Sequence, residues 1–267
     1  MGIMVTQGLG GEVERAANVA EMRSNGMELS ISSTNIKTKD FSWNTSFVYS
    51  YSNTEITKLF NSGNVIALVS GTGFPKRGYP ARALFSIPFV GINDEGVPMV
   101  INEKGKVTTD DINFQERVHT DFLKYEGPTD PKFTGSLGNI FSYKNFHLNV
   151  FLTYSFGNVV RLDPVFRSYY SDMTATQKEF KNRWMQAGDE KITSVPGILP
   201  YRMYRDDSSL RIAYNAYNYT SNRTAKGDFI RMKEISLGYD FPRAMLQSTP
   251  FTNLSLKLQA TNLFLIY

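Results

Sequence analysis

Few side chains in this sequence could do chemistry, and the densest group is aromatic. Tyr201, Tyr204, Tyr214, Tyr217 and Tyr219 crowd one stretch, "LPYRMYRDDSSLRIAYNAYNYTSN". Amphipathic rings at this density either stack on a sugar ring or a partner protein, or pack a large ordered loop. There are two histidines, His119 and His147, and no cysteine. Neither histidine has a Cys or a spaced His partner, so no zinc set is expected. "GTGFPKRG" (71–78) is glycine-rich but lacks the Gly-Lys-Ser/Thr of a phosphate loop. "DDSS" (206–209) and "DEKI" (189–192) lack calcium-loop spacing. No nucleophile, base and orienting group stand out together. The reading is not an enzyme, with no cofactor and no metal.

The elements that position these residues are strands. In "FSWNTSFVYSYS", starting at Phe41, alternate residues separate into Phe41, Trp43, Thr45, Phe47, Tyr49 and Tyr51 against Ser42, Asn44, Ser46, Val48, Ser50 and Ser52. A helical period would scatter the large side chains round the axis; a period of two sorts them. The polar set carries small uncharged groups in place of surface Lys and Glu. That pattern suits a membrane barrel, with lipid outside, a polar lumen inside and aromatic girdles at both interfaces. Ten steps from Phe41 to Tyr51, at about 3.3 Å each and tilted by about 40°, span roughly 25 Å, the height of an apolar barrel band. Phe146, Leu148, Val150, Leu152, Tyr154 and Phe156 repeat the spacing, and Phe133–Tyr143 is a third span of the same length.

Composition agrees. Nineteen Phe and fifteen Tyr against two Trp make a β-rich profile. No apolar run reaches the length of a membrane-spanning helix. The net charge of +4 is scattered through turns without a basic stripe interleaved with aromatics, so nucleic-acid binding is not expected. Strands are expected near 27–34, 41–58, 132–143, 146–157, 228–240 and 253–264. Asn35–Asp40, Lys144-Asn145 and Phe241–Asn253 make short or moderate links. Two long connections, 59–131 and 158–227, alternate with them, as in outer-membrane barrels with short periplasmic turns and long extracellular loops. Within them, "GINDEGVPMVINEKGKVT" reads as a small hairpin and "TATQKEFKNRWMQAGDE" as a short helix ending near Gly188.

Several stretches then resemble one family in order: "NVAEMRSNGMELSI", "DFSWNTSFVYSYSNTEITKL", "YEGPTDPKFTGSLGNIFSYKNFHLNVFLTYSFGN", "RWMQAGDE", "GDFIRMKEISLGYDFP" and "LSLKLQATNLF". They are similar to the C-terminal half of the barrel in SusC/RagA-type TonB-dependent outer-membrane transporters. The resemblance implies an all-β fold: antiparallel up-and-down strands of a partial transmembrane β-barrel, with two long extracellular loops, residues 1–267 being one part of a larger plugged barrel. It implies uptake of oligosaccharides or peptides with a SusD-type surface lipoprotein as lid, and energy from the TonB complex acting on an N-terminal plug. The plug and the remaining barrel strands are absent from this sequence, and no secretory signal is visible at its start. The resemblance makes the tyrosine cluster a candidate for substrate or lipoprotein contact. A soluble or surface-anchored glycan-binding β-sandwich is the alternative.

Three structural expectations follow from the strand pattern. Both long connections leave the sheet at one end and the short turns lie at the other. Phe41, Trp43, Phe47, Tyr49, Tyr51, Leu148, Val150, Leu152 and Tyr154 share one exposed face. In "GDFIRMKEISLGYDF" the phase of Ile235, Leu237 and Tyr239, followed back, would put Arg231 and Lys233 on the apolar side. A β-bulge near Lys233-Glu234 would instead turn Ile230 and Met232 to that side.

Overall fold

The structure is a computed structural model. It describes residues 2–6, 13–17, 20–166 and 177–267, with backbone alone for 2–6, 13–17, Tyr201 and Tyr204. The chain forms two compact units, one comprising 24–53, 131–158 and 227–267, the other 1–23, 54–130 and 159–226.

The first unit is built on an antiparallel sheet of seven strands: β1 (Ala20–Lys37), β2 (Phe41–Leu59), β3 (Phe133–Tyr143), β4 (Phe146–Phe156), β5 (Phe229–Asp240), β6 (Ser255–Thr261) and β7 (Leu265–Ile266). Each strand of β1–β6 pairs with its neighbour in sequence, and β7 returns to β5. The expected strands are all present, and β1 runs longer at both ends than its alternation predicts. Phe133 faces both Tyr51 and Phe156 across the ladders, and Ser155 faces Phe229. Both long connections therefore leave and rejoin the sheet at this one end. The tight turn at Lys144-Asn145 lies at the other, where Tyr143 meets Phe41 and Phe146 meets Tyr239. Lys144 takes a left-handed φ of 51° there, which a two-residue hairpin demands.

The register fixes the faces. Phe47, Leu137 and Leu152 are in line, as are Trp43, Phe141, Leu148 and Leu237. None of the nine expected apolar-face residues is buried, but none is as exposed as expected; each is partly covered, the rings of Trp43, Tyr49 and Tyr51 by ring neighbours on the same face. A sandwich would cover them with a second layer. Side contacts are aromatic: Trp43 stacks on Phe141 at 5.6 Å between ring centres, and Tyr51 meets Phe133 at 5.2 Å. The polar groups on this face are paired among themselves. Trp43 Nε1 (2.9 Å) and Thr45 Oγ1 (2.8 Å) both donate to Asn139 Oδ1, and Asn35 Nδ2 donates to Thr45 Oγ1. Gly135 admits a cross-strand lid. A Cβ there would stand 2.3 Å from the hydroxyl of Tyr154, which lies over it and donates to Val48 O at 3.1 Å.

The bulge is present. Phe151 pairs with Glu234 and Leu152 with Met232, so Lys233 is the extra residue of β5. Ile230 then aligns with Tyr154 and Met232 with Leu152 on the apolar face, while Arg231 aligns with Thr153 on the polar one. On the other flank Asn262, at φ 53°, donates its amide to Lys233 O, and Met232 N donates to Phe264 O.

The second unit holds the long connections. It contains the helix Val65–Val69, the strand pair Ala83–Ser86 and Lys124–Pro128, the meander Phe89–Ile92, Pro98–Ile101 and Val107–Thr108, and the helices Tyr201–Asp206 and Ser208–Tyr217. The expected hairpin is thus a three-stranded meander. The helix expected to end near Gly188 is not formed; its first residues, 174–176, lie outside the described residues. One 3-10 turn, Lys178–Asn182, is followed by a bridge from Arg183 to Val195 and a hydrogen bond from Trp184 N to Val195 O. Pairing with Val195 holds the backbone extended where the helix would have continued. Two arginines brace the interior. Arg161 donates to Thr220 O (2.8 Å), Val69 O (3.1 Å) and Phe85 O (2.6 Å), and burial pulls its pKa down to about 10. Arg223, fully buried, pairs with Glu179 at 2.5 Å and donates to Asp163 O.

Candidate functional site

Two surfaces are candidates for function: the polar face of the sheet, and a cleft in the unit built from the long connections.

The polar face follows from the alternation in each strand. Ser42, Asn44, Ser46, Ser136, Asn149, Thr153 and Ser236 all lie on it by register. Charges enter on β5 and β6, where Glu234 accepts from Asn149 Nδ2 at 3.3 Å and Lys257 approaches it at 3.7 Å. His147 lies on this face, as its position in the strand requires. Its Nδ1 is 3.0 Å from Ser142 Oγ and its Nε2 is 3.0 Å from Asp240 Oδ2. The fold thus assembles a Ser-His-Asp row that the separated sequence positions conceal. Both ring nitrogens are occupied in fastening three strand ends beside the short turns, and the imidazole and carboxylate are open to solvent. His119 sits in the other unit, where its amide is one of three consecutive N–H groups donating to Glu116 Oε1. Those donors hold the Glu116 carboxyl below its ordinary pKa. Among the described residues no three His, Cys, Asp or Glu side chains converge as a metal group would.

The tyrosine stretch folds as helix, which the sequence reading did not foresee. Asp207 caps Ser208–Tyr217, its carboxylate accepting from Ser209 N and Leu210 N. The signal was present in "DDSS": an acidic residue before two serines is an N-cap pattern. The helix period turns Tyr214 and Tyr217 inward together. Tyr217 is 1% exposed, donates to Ser194 O at 3.0 Å and meets Phe89 edge-on; burial raises its phenol pKa to about 12. Tyr219 packs edge-on to Phe114 against a different cluster, the one holding Val65, Phe85 and Val100. Tyr214 packs on Phe166 and lines the cleft from inside. The side chains of Tyr201 and Tyr204 lie outside the described residues.

The cleft holds about 370 Å³. Val97, Leu199, Leu210 and Tyr214 form its interior, Met185, Ile198 and Met203 its mouth, and Glu95 and Arg183 its charged rim. Trp184 completes the wall. Its ring is wedged against two glycines, for a Cβ on Gly96 would stand 2.4 Å from Trp184 Cε3 and one on Gly197 3.1 Å. Gly96 also has a left-handed φ of 80°, so the turn Asn93–Val97 needs glycine twice over.

Comparison with known proteins places this arrangement. The chain is 24% identical over 260 residues to TonB-dependent receptor P3 of Formosa agariphila, covering 92% of the chain and 24% of that protein. It is 25% identical over 253 residues to TonB-dependent receptor SusC of Bacteroides thetaiotaomicron, covering 90% and 22%. The chain resembles the SusC/RagA-type TonB-dependent receptors. The fold agrees: a structure of the RagAB peptide transporter superposes with a TM-score of 0.66 over 93% of this chain and 26% of that one, at 22% identity. The chain spans about a quarter of the length of the curated relatives it matches. No protein-family model matches it. The relatives are named as receptors.

Proposed function

We propose that this chain is part of the wall and outer loops of an outer-membrane transport barrel, importing oligosaccharides or peptides. Its apolar face meets lipid, its polar face lines the lumen, and further strands continue the sheet at both edges. The short turns face the periplasm and the two long connections leave the sheet at its outer end, where a SusD-type surface lipoprotein closes over the barrel. Import draws on the TonB complex through a plug domain. The cleft with Tyr214, and the side chains of Tyr201 and Tyr204, are the proposed contact region within the tyrosine cluster. The two-faced sheet carries this reading. Its aromatic rows are about ten residues apart on three neighbouring strands, in register, and the Lys233 bulge keeps Ile230 and Met232 in phase with them.

The chain has no cysteine, so single thiols report position cleanly. In outer membranes, a bimane label on Phe47→Cys, Leu137→Cys or Leu152→Cys is expected to be quenched by brominated lipid. Labels on Ser46→Cys, Ser136→Cys or Thr153→Cys should not be. Equal quenching of both sets would defeat the membrane reading. Transport itself is checked by comparing uptake of oligosaccharides and peptides in cells with and without the gene, with the TonB system active or disabled.

A further inference from the structure

The cleft has a chemistry that distinguishes between the two substrate classes, and this step rests on the transport reading above. A sugar presents hydroxyls in every direction. A site for it needs polar side chains around the ring and an aromatic face free to stack, because a buried hydroxyl left without a partner weakens binding. Among the described residues this cleft offers only a charged pair at its rim and no aromatic face open to stacking. Among the described residues no Ser, Thr, Asn, Gln or Asp side chain lines it, Tyr214 is buried against Phe166, and Trp184 is wedged against Gly96 and Gly197. Its interior is aliphatic. Its mouth carries three large apolar side chains in the open, Met185 at 67%, Ile198 at 51% and Met203 at 51% exposure. Unbranched thioethers at an entrance repack around apolar groups of different shape.

The rim completes the match. Glu95 and Arg183 stand on it with opposite charges, and neither has an ion-pair partner among the described residues. A peptide in solution carries its own opposite charges at its termini, and an apolar side chain between them. The cavity, about 370 Å³, lies at the lower end of the range for small-ligand sites, so it takes a short segment and not a folded domain. We infer that this cleft is a subsite for an apolar peptide side chain, with Glu95 and Arg183 oriented to the charged or polar ends of the segment, and that the imported class is peptide.

The test uses the thiol-free chain in outer membranes. Met185→Cys places one thiol at the cleft mouth; Ile192→Cys places one at a residue 85% exposed that does not line the cleft. The rate of maleimide labelling is measured with the tetrapeptide Ala-Leu-Leu-Ala, with tetraglycine and with maltohexaose. The leucine peptide is expected to slow labelling of the Met185→Cys variant at least fivefold, saturably, and to leave that of the Ile192→Cys variant unchanged. Tetraglycine and maltohexaose should have no effect. Adding Met203→Glu should abolish the protection, judged as the ratio of rates with and without the leucine peptide in that same variant. Protection by the sugar, equal protection by tetraglycine, or no protection by the leucine peptide would overturn the inference. The lipid-quenching pattern is read on the same membranes. If it holds and protection fails, the peptide subsite is wrong and the barrel reading stands; if it fails, the barrel reading is wrong whatever the peptide does.

Discussion

At the residue scale, function and stability depend on a few buried polar atoms. Tyr217 has its phenol pushed from the usual 10.0 to about 12, chiefly by burial. The unfolded chain loses this proton near pH 10 while the folded chain keeps it, so its contribution is whole below pH 10 and is lost as pH rises toward 12. The slope is about 1.4 kcal/mol per pH unit across that window. Arg161, held down to about 10, contributes with the opposite sign over the same window, so the Tyr217 effect is read as a difference: in thermal unfolding in detergent between pH 9 and 12, the stability of the parent relative to Tyr217→Phe should fall as pH rises. Arg161 is a second such point. Its guanidinium closes three carbonyls contributed by segments far apart in sequence. Arg161→Lys keeps the charge but loses the planar fork, and is expected to cost about 2–4 kcal/mol. Unchanged stability in a urea titration would contradict that bracing role.

At the scale of elements, the sheet depends on phase and on close approach. Removing Lys233 would restore an unbroken ladder between β4 and β5. It would turn either Arg231 or the Ile235–Leu237 run onto the wrong face, and a charge facing lipid costs about 2–4 kcal/mol at the midplane. Deletion of Lys233 should therefore abolish heat-modifiable assembly on gels, whereas Lys233→Ser, which keeps the extra residue, should assemble normally. Gly135 is the other sensitive point. Gly135→Ala drives a methyl into both Val48 O and the Tyr154 hydroxyl. It should impair assembly far more than Tyr154→Phe, which loses one hydrogen bond of about 1 kcal/mol. Equal assembly of the two variants would show that the ladder yields more readily than its geometry implies.

At the scale of the whole molecule, the sheet leaves an apolar face and two edges without cover among the described residues. Met27, Leu29 and Ile31 on β1, and Leu256 and Leu258 on β6, are exposed at its two edges. An apolar face and two long edges invite strand pairing between copies in water. Expressed alone without detergent, the chain should aggregate, as light scattering would register. A monodisperse monomer that refolds after heating would count against both the membrane face and its continuation at the edges.

The sequence by itself determined what depends on neighbours along the chain. Alternation in "FSWNTSFVYSYS" and in 146–156 is local, so strands, faces and the clash of phase at Arg231 and Lys233 could be read directly. The remedy, one extra residue, follows from the pleat alone. What only the tertiary structure decided depends on partners distant in sequence. Nothing near "RWMQAGDE" announces that Val195 pairs with Arg183 and extends the backbone. Nothing near the tyrosines shows that Gly96 and Phe166 close around Tyr214 while Ser194 takes the hydroxyl of Tyr217. The cleft joins a turn, an extended segment and two helices, and the Ser142, His147 and Asp240 row joins three strands. Periodicity reports which way a side chain faces; it carries no information about which remote backbone will meet it there.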